Sequence, residues 1–361
     1  MNGRVAILLL LAAVTACGGS PEAAATPTPS AAATSPSPSP TEALGPGGMT
    51  LDEEIGAVMM VGFQGSLTPA VLDDWTRHQY GGLLIVNNNH NASTAAGMTS
   101  LIAKLRGATR HRLLAATDQE GGQICIAIST VPCAAMPVDR AGTTTMARAL
   151  RALGFDVDLG PVSDVCSGPT SIMWGRCYGT APGAVAAYIG RVVNGIHDAG
   201  MLSAAKHFPG HGDTSVSSET RLPRIDESLQ TLQSRDFPPF IAAVAHHTDF
   251  VLMGHLFYPA IDPDRSADLS PETFLLLRKY VGFQGAILSD DMEMGAITAS
   301  TPTPEAAVEF LIAGGDMVMV AHHLSVADAT YDAIKKAVQS GRLPRERLDE
   351  AVAALAALRN G

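Results

Sequence analysis

Eight short apolar, β-branched-rich runs recur along this chain, each giving way to a segment with helix-start chemistry. They are Met59 to Phe63, Leu83 to Val86, Leu113 to Thr117, Val157 to Val162, Leu202 to Ala205, Phe250 to Met253, Ala286 to Leu288 and Met317 to Ala321. Thr68-Pro69, Pro182-Gly183, Ser270-Pro271-Glu272 and Thr303-Pro304-Glu305 are among the starts that follow, each offering a capping hydroxyl or a proline whose φ suits a first helical turn. The runs are continuous rather than alternating, so both faces of their sheet must be covered, as in a parallel βα repeat. Eight such units between residues 49 and 361 predict an α/β fold, a (β/α)8 TIM-type barrel, which runs to about 250 residues before insertions. A doubly wound open sheet competes, but no glycine-rich dinucleotide fingerprint follows the first run to favour it. Leu348, Val352, Leu355 and Leu358 repeat at helical spacing in the last segment and read as core packing.

The chain ahead of residue 49 has a different character. Arg4 precedes an uninterrupted apolar run, Val5 to Val14, then Thr15-Ala16-Cys17. That run is far shorter than the roughly 20 residues a membrane-spanning helix needs, so it reads as a secretory signal. The small residues before Cys17 resemble a bacterial lipobox, which makes residues 1–17 a lipoprotein signal peptide and Cys17 the lipidated membrane anchor. Residues 18–48 are Ala, Pro, Thr and Ser with almost no large apolar side chain, the composition of a disordered tether. The expected location is the outer face of a bacterial cell membrane. A formal net charge of −11 without basic clusters argues against nucleic acid as a partner, and nothing in the sequence implies a protein partner or a cofactor.

After Cys17 four cysteines remain, in two close pairs. In an oxidising compartment an even count suggests disulfides Cys125–Cys133 and Cys166–Cys177, with four buried thiols as the other possibility. No Cys-x-x-Cys spacing points to zinc.

Polar residues just past the strand ends of a barrel face one pocket. Those positions hold Asp118, Asp164, Lys206 with His207, His255, and Asp290 with Asp291, and Arg176 lies on a loop. Lys206 and His207 precede Pro209-Gly210, where the chain must turn, so both sit at a strand's C-terminal mouth. Carboxylates beside a Lys and an Arg suit recognition of a polyhydroxyl compound. Aromatic residues make up only 5% of the chain, so a compact pocket for a short saccharide is expected rather than a groove paved with aromatic rings. His207, His211 and Asp213 have a metal-like spacing, but Pro209-Gly210 keeps them off one helix face, and no metal is expected. His90, His246, His247, His322 and His323 read as surface or helix-end residues.

The stretch Lys206-His207-Phe208-Pro209-Gly210-His211-Gly212 closely resembles the signature of family-three glycoside hydrolases, in particular the single-domain bacterial β-N-acetylglucosaminidases. The resemblance extends through Asp118-Gln119-Glu120-Gly121-Gly122, Gly160 to Val165, Arg176 before Tyr178-Gly179, Tyr258 to Asp262, and Ser289-Asp290-Asp291-Met292-Glu293-Met294. It implies a retaining exo-glycosidase acting on terminal β-linked N-acetylglucosamine, as in cell-wall muropeptides, with Asp290 as nucleophile. Asp118, Arg176, Lys206 and His207 match positions that bind sugar hydroxyls; Asp118 and Lys206 also read as an ion pair shaping the mouth. Two departures stand out. Where relatives carry an Asp-His pair that protonates the leaving group, this chain has Ser217 and Glu219. A Glu beside a second carboxylate about 5.5 Å away gains roughly two pKa units at an effective dielectric of about 20, enough to serve as acid and base. Where relatives commonly have arginines after the double glycine, this chain has Gln123-Ile124-Cys125-Ile126, which leaves another sugar specificity open. A catalytically silent sugar-binding lipoprotein is the alternative outside enzymology. A phosphorylase is a third reading, disfavoured because Glu219 would repel phosphate.

Overall fold

A computed structural model describes residues 44–133, 136 and 139–359. The signal peptide, Cys17 and the tether up to residue 43 lie outside the described residues.

Eight parallel strands close into a barrel in sequence order. They are β1 (Met59–Val61), β2 (Gly82–Ile85), β3 (Leu114–Thr117), β4 (Val157–Asp158), β5 (Leu202–Phe208), β6 (Phe250–Met253), β7 (Ala286–Asp291) and β8 (Met317–Val320). Closure comes from β1 against β8, with Met59 opposite Val318 and Val61 opposite Val320. A helix follows each strand: α1 (Pro69–His78), α2 (Ala95–Ala108), α3 (Arg140–Leu153), α4 (Pro182–Asp198), α5 (Phe237–Ala245), α6 (Pro271–Leu275), α7 (Thr303–Ala313) and α8 (Leu324–Gln339). Thr68, Thr94 and Asp139 cap α1, α2 and α3 by accepting a first-turn amide on the side chain. The C-terminal helix Arg345–Arg359 buries Leu348, Val352 and Leu355, and Leu358 packs against the core.

The strands are buried almost throughout, and apolar except toward their C-terminal ends and at Ser203, because the barrel filling and the helix shell leave no solvated face. The ends of β1, β2 and β8 fall one or two residues short of their sequence bounds, and three runs differ by more. β4 is regular over two residues only, since Gly160-Pro161 follows and a proline has no amide to give the ladder, and pairing with β5 resumes at Val162 opposite Lys206. β5 and β7 run on into Lys206-His207-Phe208 and Ser289-Asp290-Asp291, because buried partners satisfy these polar side chains.

Candidate active site

The strand ends surround a cavity of about 330 Å³ whose walls include Asp118, Gln123, Glu219, Asp290, Asp291, Asn87, Asn88 and His322. Among the described residues, no Phe, Trp or Tyr lines it. The floor is apolar, formed by Leu84, Leu159, Leu252 and Met319.

Asp290 is carried by β7 and is 9% exposed. Its Oδ1 accepts the Asp291 amide at 2.9 Å. Burial pushes its pKa up, but the neighbouring His207 and His255, the hydrogen bond from the Asp291 amide and the charge of Lys206 outweigh that, and the carboxyl group lies below its ordinary value. Asp291 faces differently. Its Oδ1 accepts the amides of Glu293 at 3.1 Å and Ala321 at 3.0 Å, tying the end of β7 to that of β8. Burial raises its pKa to about 7.

Glu219 stands on the loop after β5, on the exposed rim of the cavity. Partial loss of solvent at the cavity edge, then the negative charge of Asp290, raises its pKa. Two contacts hold the loop. The Ser218 and Glu219 carbonyls accept the amides of Ala296 at 2.9 Å and Gly295 at 3.0 Å, at the start of the short helix Gly295–Thr298. A Cβ at Gly295 would come within 2.6 Å of the Thr220 carbonyl oxygen and 2.8 Å of the Glu219 carbonyl oxygen, so the approach requires glycine. On the inner side His211 Nε2 meets Ser218 Oγ at 3.3 Å. Burial and the neighbouring His207 lower the His211 pKa to about 4, so the ring is neutral near pH 7.

Behind the wall the predicted sugar-binding residues form a knot. Glu120, unmarked by any sequence argument beyond its place in the Asp118 motif, accepts Arg176 Nε at 2.8 Å and Nη2 at 2.7 Å. The same carboxylate pairs with Lys206 Nζ at 2.9 Å, and Lys206 also donates to Asp118. Burial raises the Glu120 pKa, but Lys206 and Arg176 outweigh it and bring the group down to about 2. Lys206 is only 2% exposed; it reaches the cavity through Asp118, whose carboxylate is a cavity wall. His207 Nδ1 is 2.8 Å from Asp164 Oδ2, and Asp164 Oδ1 accepts the His211 amide at 2.6 Å.

Two expectations need correction. Asp164, Lys206, His207 and His255 do not line the cavity; all are buried behind it, because each is consumed by an internal partner, and Arg176, turned onto Glu120, lies outside the lining as well. His322 is not a bystander on the surface. It lines the cavity, with Nδ1 donating to the Asn89 side-chain oxygen at 2.7 Å and Nε2 3.5 Å from Asp291 Oδ2. It stands just past the end of β8, where the strand-end rule that selects Asp118 would also have selected it.

Cys125 is bonded to Cys133 and Cys166 to Cys177, with Cα–Cα distances of 5.8 and 6.1 Å. The first bridge backs the Gln123–Ile126 wall; the second closes the loop that presents Arg176. His207, His211 and Asp213 do not converge on a point: they engage Asp164, Ser218 and Arg235 respectively.

A parallel barrel whose strand-end pocket pairs an ionised carboxyl group with one held toward its acid form is built as a carbohydrate-cleaving hydrolase. The chain belongs to glycoside hydrolase family three, whose description, Glycosyl hydrolase family 3 N terminal domain, matches residues 50–358. Relatives named Beta-hexosaminidase occur in Xylella fastidiosa, 31% identical over 75% of this chain and 85% of the relative, and in Stenotrophomonas maltophilia, 30% identical over 76% and 86%. A glycoside hydrolase family 3 β-N-acetylglucosaminidase from Paenibacillus superposes with a TM-score of 0.82 at 30% identity, covering 86% of this chain and 62% of that one. M tuberculosis LpqI superposes at 0.80 with 27% identity, over 87% of this chain and 95% of that one. The protein is thus a glycoside hydrolase of the β-hexosaminidase type.

Proposed function

We propose that the protein is a retaining, exo-acting glycosidase that removes terminal β-linked N-acetylglucosamine from short saccharides released from the cell wall, working outside the cell on a lipid anchor at Cys17. The reading is carried by one observation: Asp290 and Glu219 share a single cavity, the first held below the ordinary carboxyl pKa and the second above it. The Asp290 carboxylate attacks the anomeric carbon as the glycosidic C–O bond breaks, its electron pair going to the leaving oxygen, which takes the proton of Glu219. The product is a glycosyl ester on Asp290. Esterification removes the negative charge that helps raise the Glu219 pKa, so Glu219 then accepts a proton from water. That water attacks the anomeric carbon, and the ester electrons return to the Asp290 carboxylate. Asp118, a cavity wall held by Lys206, accepts from sugar hydroxyls in this reading, and Arg176 acts behind it through Glu120. The neutral amides of Asn88 and Gln123, beside Val86 and Ile124, suit an acetamido substituent, while Asn87 braces the wall through the Cys125 carbonyl and the Ala127 amide.

The test is hydrolysis of a chromogenic N-acetyl-β-glucosaminide, with a 2-fluoro sugar as trap. Labelling of Asp290 is expected; labelling of Asp291 would move the nucleophile. Binding without turnover of any such glycoside would favour a silent sugar-binding lipoprotein.

A further inference from the structure

His255, after β6, and Asp268 are both wholly buried. His255 Nδ1 lies 2.9 Å from Asp268 Oδ2, and Nε2 lies 2.9 Å from the main-chain carbonyl of Asp291. A carbonyl oxygen only accepts, so Nε2 must carry hydrogen. The proton between Nδ1 and the carboxyl group rests on the nitrogen, the more basic partner by its ordinary pKa. With hydrogen on both nitrogens the ring is a cation.

Stability does not explain this pair. Buried ion pairs commonly gain nothing over apolar packing, and Asp268 Oδ1 has no hydrogen-bond partner. Its position is suggestive instead, because the carbonyl it holds belongs to the residue next to Asp290. We propose that His255, kept as an imidazolium by Asp268, is a positioning residue that clamps the end of β7 and supplies a fixed positive charge that maintains Asp290 as a carboxylate. This rests on the assignment of Asp290 as nucleophile. The charged and titratable groups acting on Asp290 are Lys206 and His207 from β5, His211 and Glu219 from the loop after it, Asp291 on its own strand, and His255. His322, after β8, approaches Asp291. Burial pulls the His255 pKa down, but the Asp268 carboxylate outweighs it and the ring titrates at about 9. It therefore stays charged across the acidic and neutral range, which includes the pH at which Asp290 loses its proton.

The decisive variant is Asp268→Asn. Its amide can donate to Nδ1 of a neutral ring while Nε2–H still reaches the Asp291 carbonyl, so both hydrogen bonds survive and the charge disappears. The acidic limb of kcat/KM should move up by about one pH unit, with the melting temperature checked to show that the fold is intact. A merely structural role would leave that limb in place. If Asp268→Asn fails to fold, His255→Gln, whose amide can donate to the same carbonyl, should show the same displacement. Nitrogen resonances of histidine-labelled full-length protein should show both His255 nitrogens protonated between pH 6 and 8. This second readout needs no turnover, so it decides the charge even if the proposed reaction fails. A neutral His255 ring at pH 7, or a folded variant with an unmoved acidic limb, would overturn the proposal.

Discussion

Asp290 and Glu219 start from nearly the same chemistry, and their surroundings separate them. Cations gather on Asp290; Glu219 has burial and a like charge. For the pair acting as proposed, kcat/KM should be bell-shaped in pH, with an acidic limb below the ordinary carboxyl range from Asp290 and an alkaline limb above it from Glu219. Glu219→Gln should lower turnover of natural disaccharides about 10²–10⁴-fold, spare the first step on activated aryl glycosides, and regain turnover with azide, which attacks without a base. Unchanged kinetics on every substrate would place the proton donor elsewhere. Glu120→Gln is a different experiment. It leaves Lys206 and Arg176 short of a buried counter-charge and should cost about 3–5 kcal/mol in chemical denaturation. Because the folded pKa of Glu120 is depressed, its stabilisation is complete above the ordinary carboxyl pKa and is lost as pH falls toward about 2. Asp290 and Asp118 could be read from their places at strand ends. Glu120 could not, since Arg176 and Lys206 come from distant segments and only the folded barrel assembles the three.

At the scale of elements, the acid loop depends on a glycine outside itself. Gly295→Ala should push the 217–220 segment away from the Gly295–Thr298 helix, because the new Cβ would collide with main-chain oxygens that cannot rotate aside. The expected signature is a large loss of kcat on unactivated substrates with much smaller loss on aryl glycosides, resembling Glu219→Gln although no carboxyl group has changed. Equal loss on both substrate classes would mean that the substitution damaged the pocket as a whole. The βα rhythm was legible because continuous Val, Ile and Leu runs cannot be solvated on either face. The lengths of β4, β5 and β7 were less so. Proline shortens β4, and the continuation of β5 and β7 into charged residues depends on counter-charges supplied by other strands. The docking of residues 218–219 on 295–296 uses main-chain groups alone, which leave no trace in side-chain pattern.

For the whole molecule, the barrel followed from counting units, whereas closure had to be seen in the pairing of β1 with β8. The N-terminal assignment concerns residues outside the described ones and makes its own prediction. Cys17→Ala should abolish lipid labelling and free the protein from the membrane fraction or leave it unprocessed, while the barrel's melting temperature stays the same; labelling that persists would reject the anchor. The attachment of the acid loop reaches furthest. Its two carbonyls hold amides of the segment that follows Asp290 and Asp291, so the loop bearing Glu219 is tethered to the segment after β7 while those bonds last. The hydrogen-exchange rates of Gly295 and Ala296 would then measure how often Glu219 swings away from the sugar, and a saccharide in the cavity should slow both by the same factor.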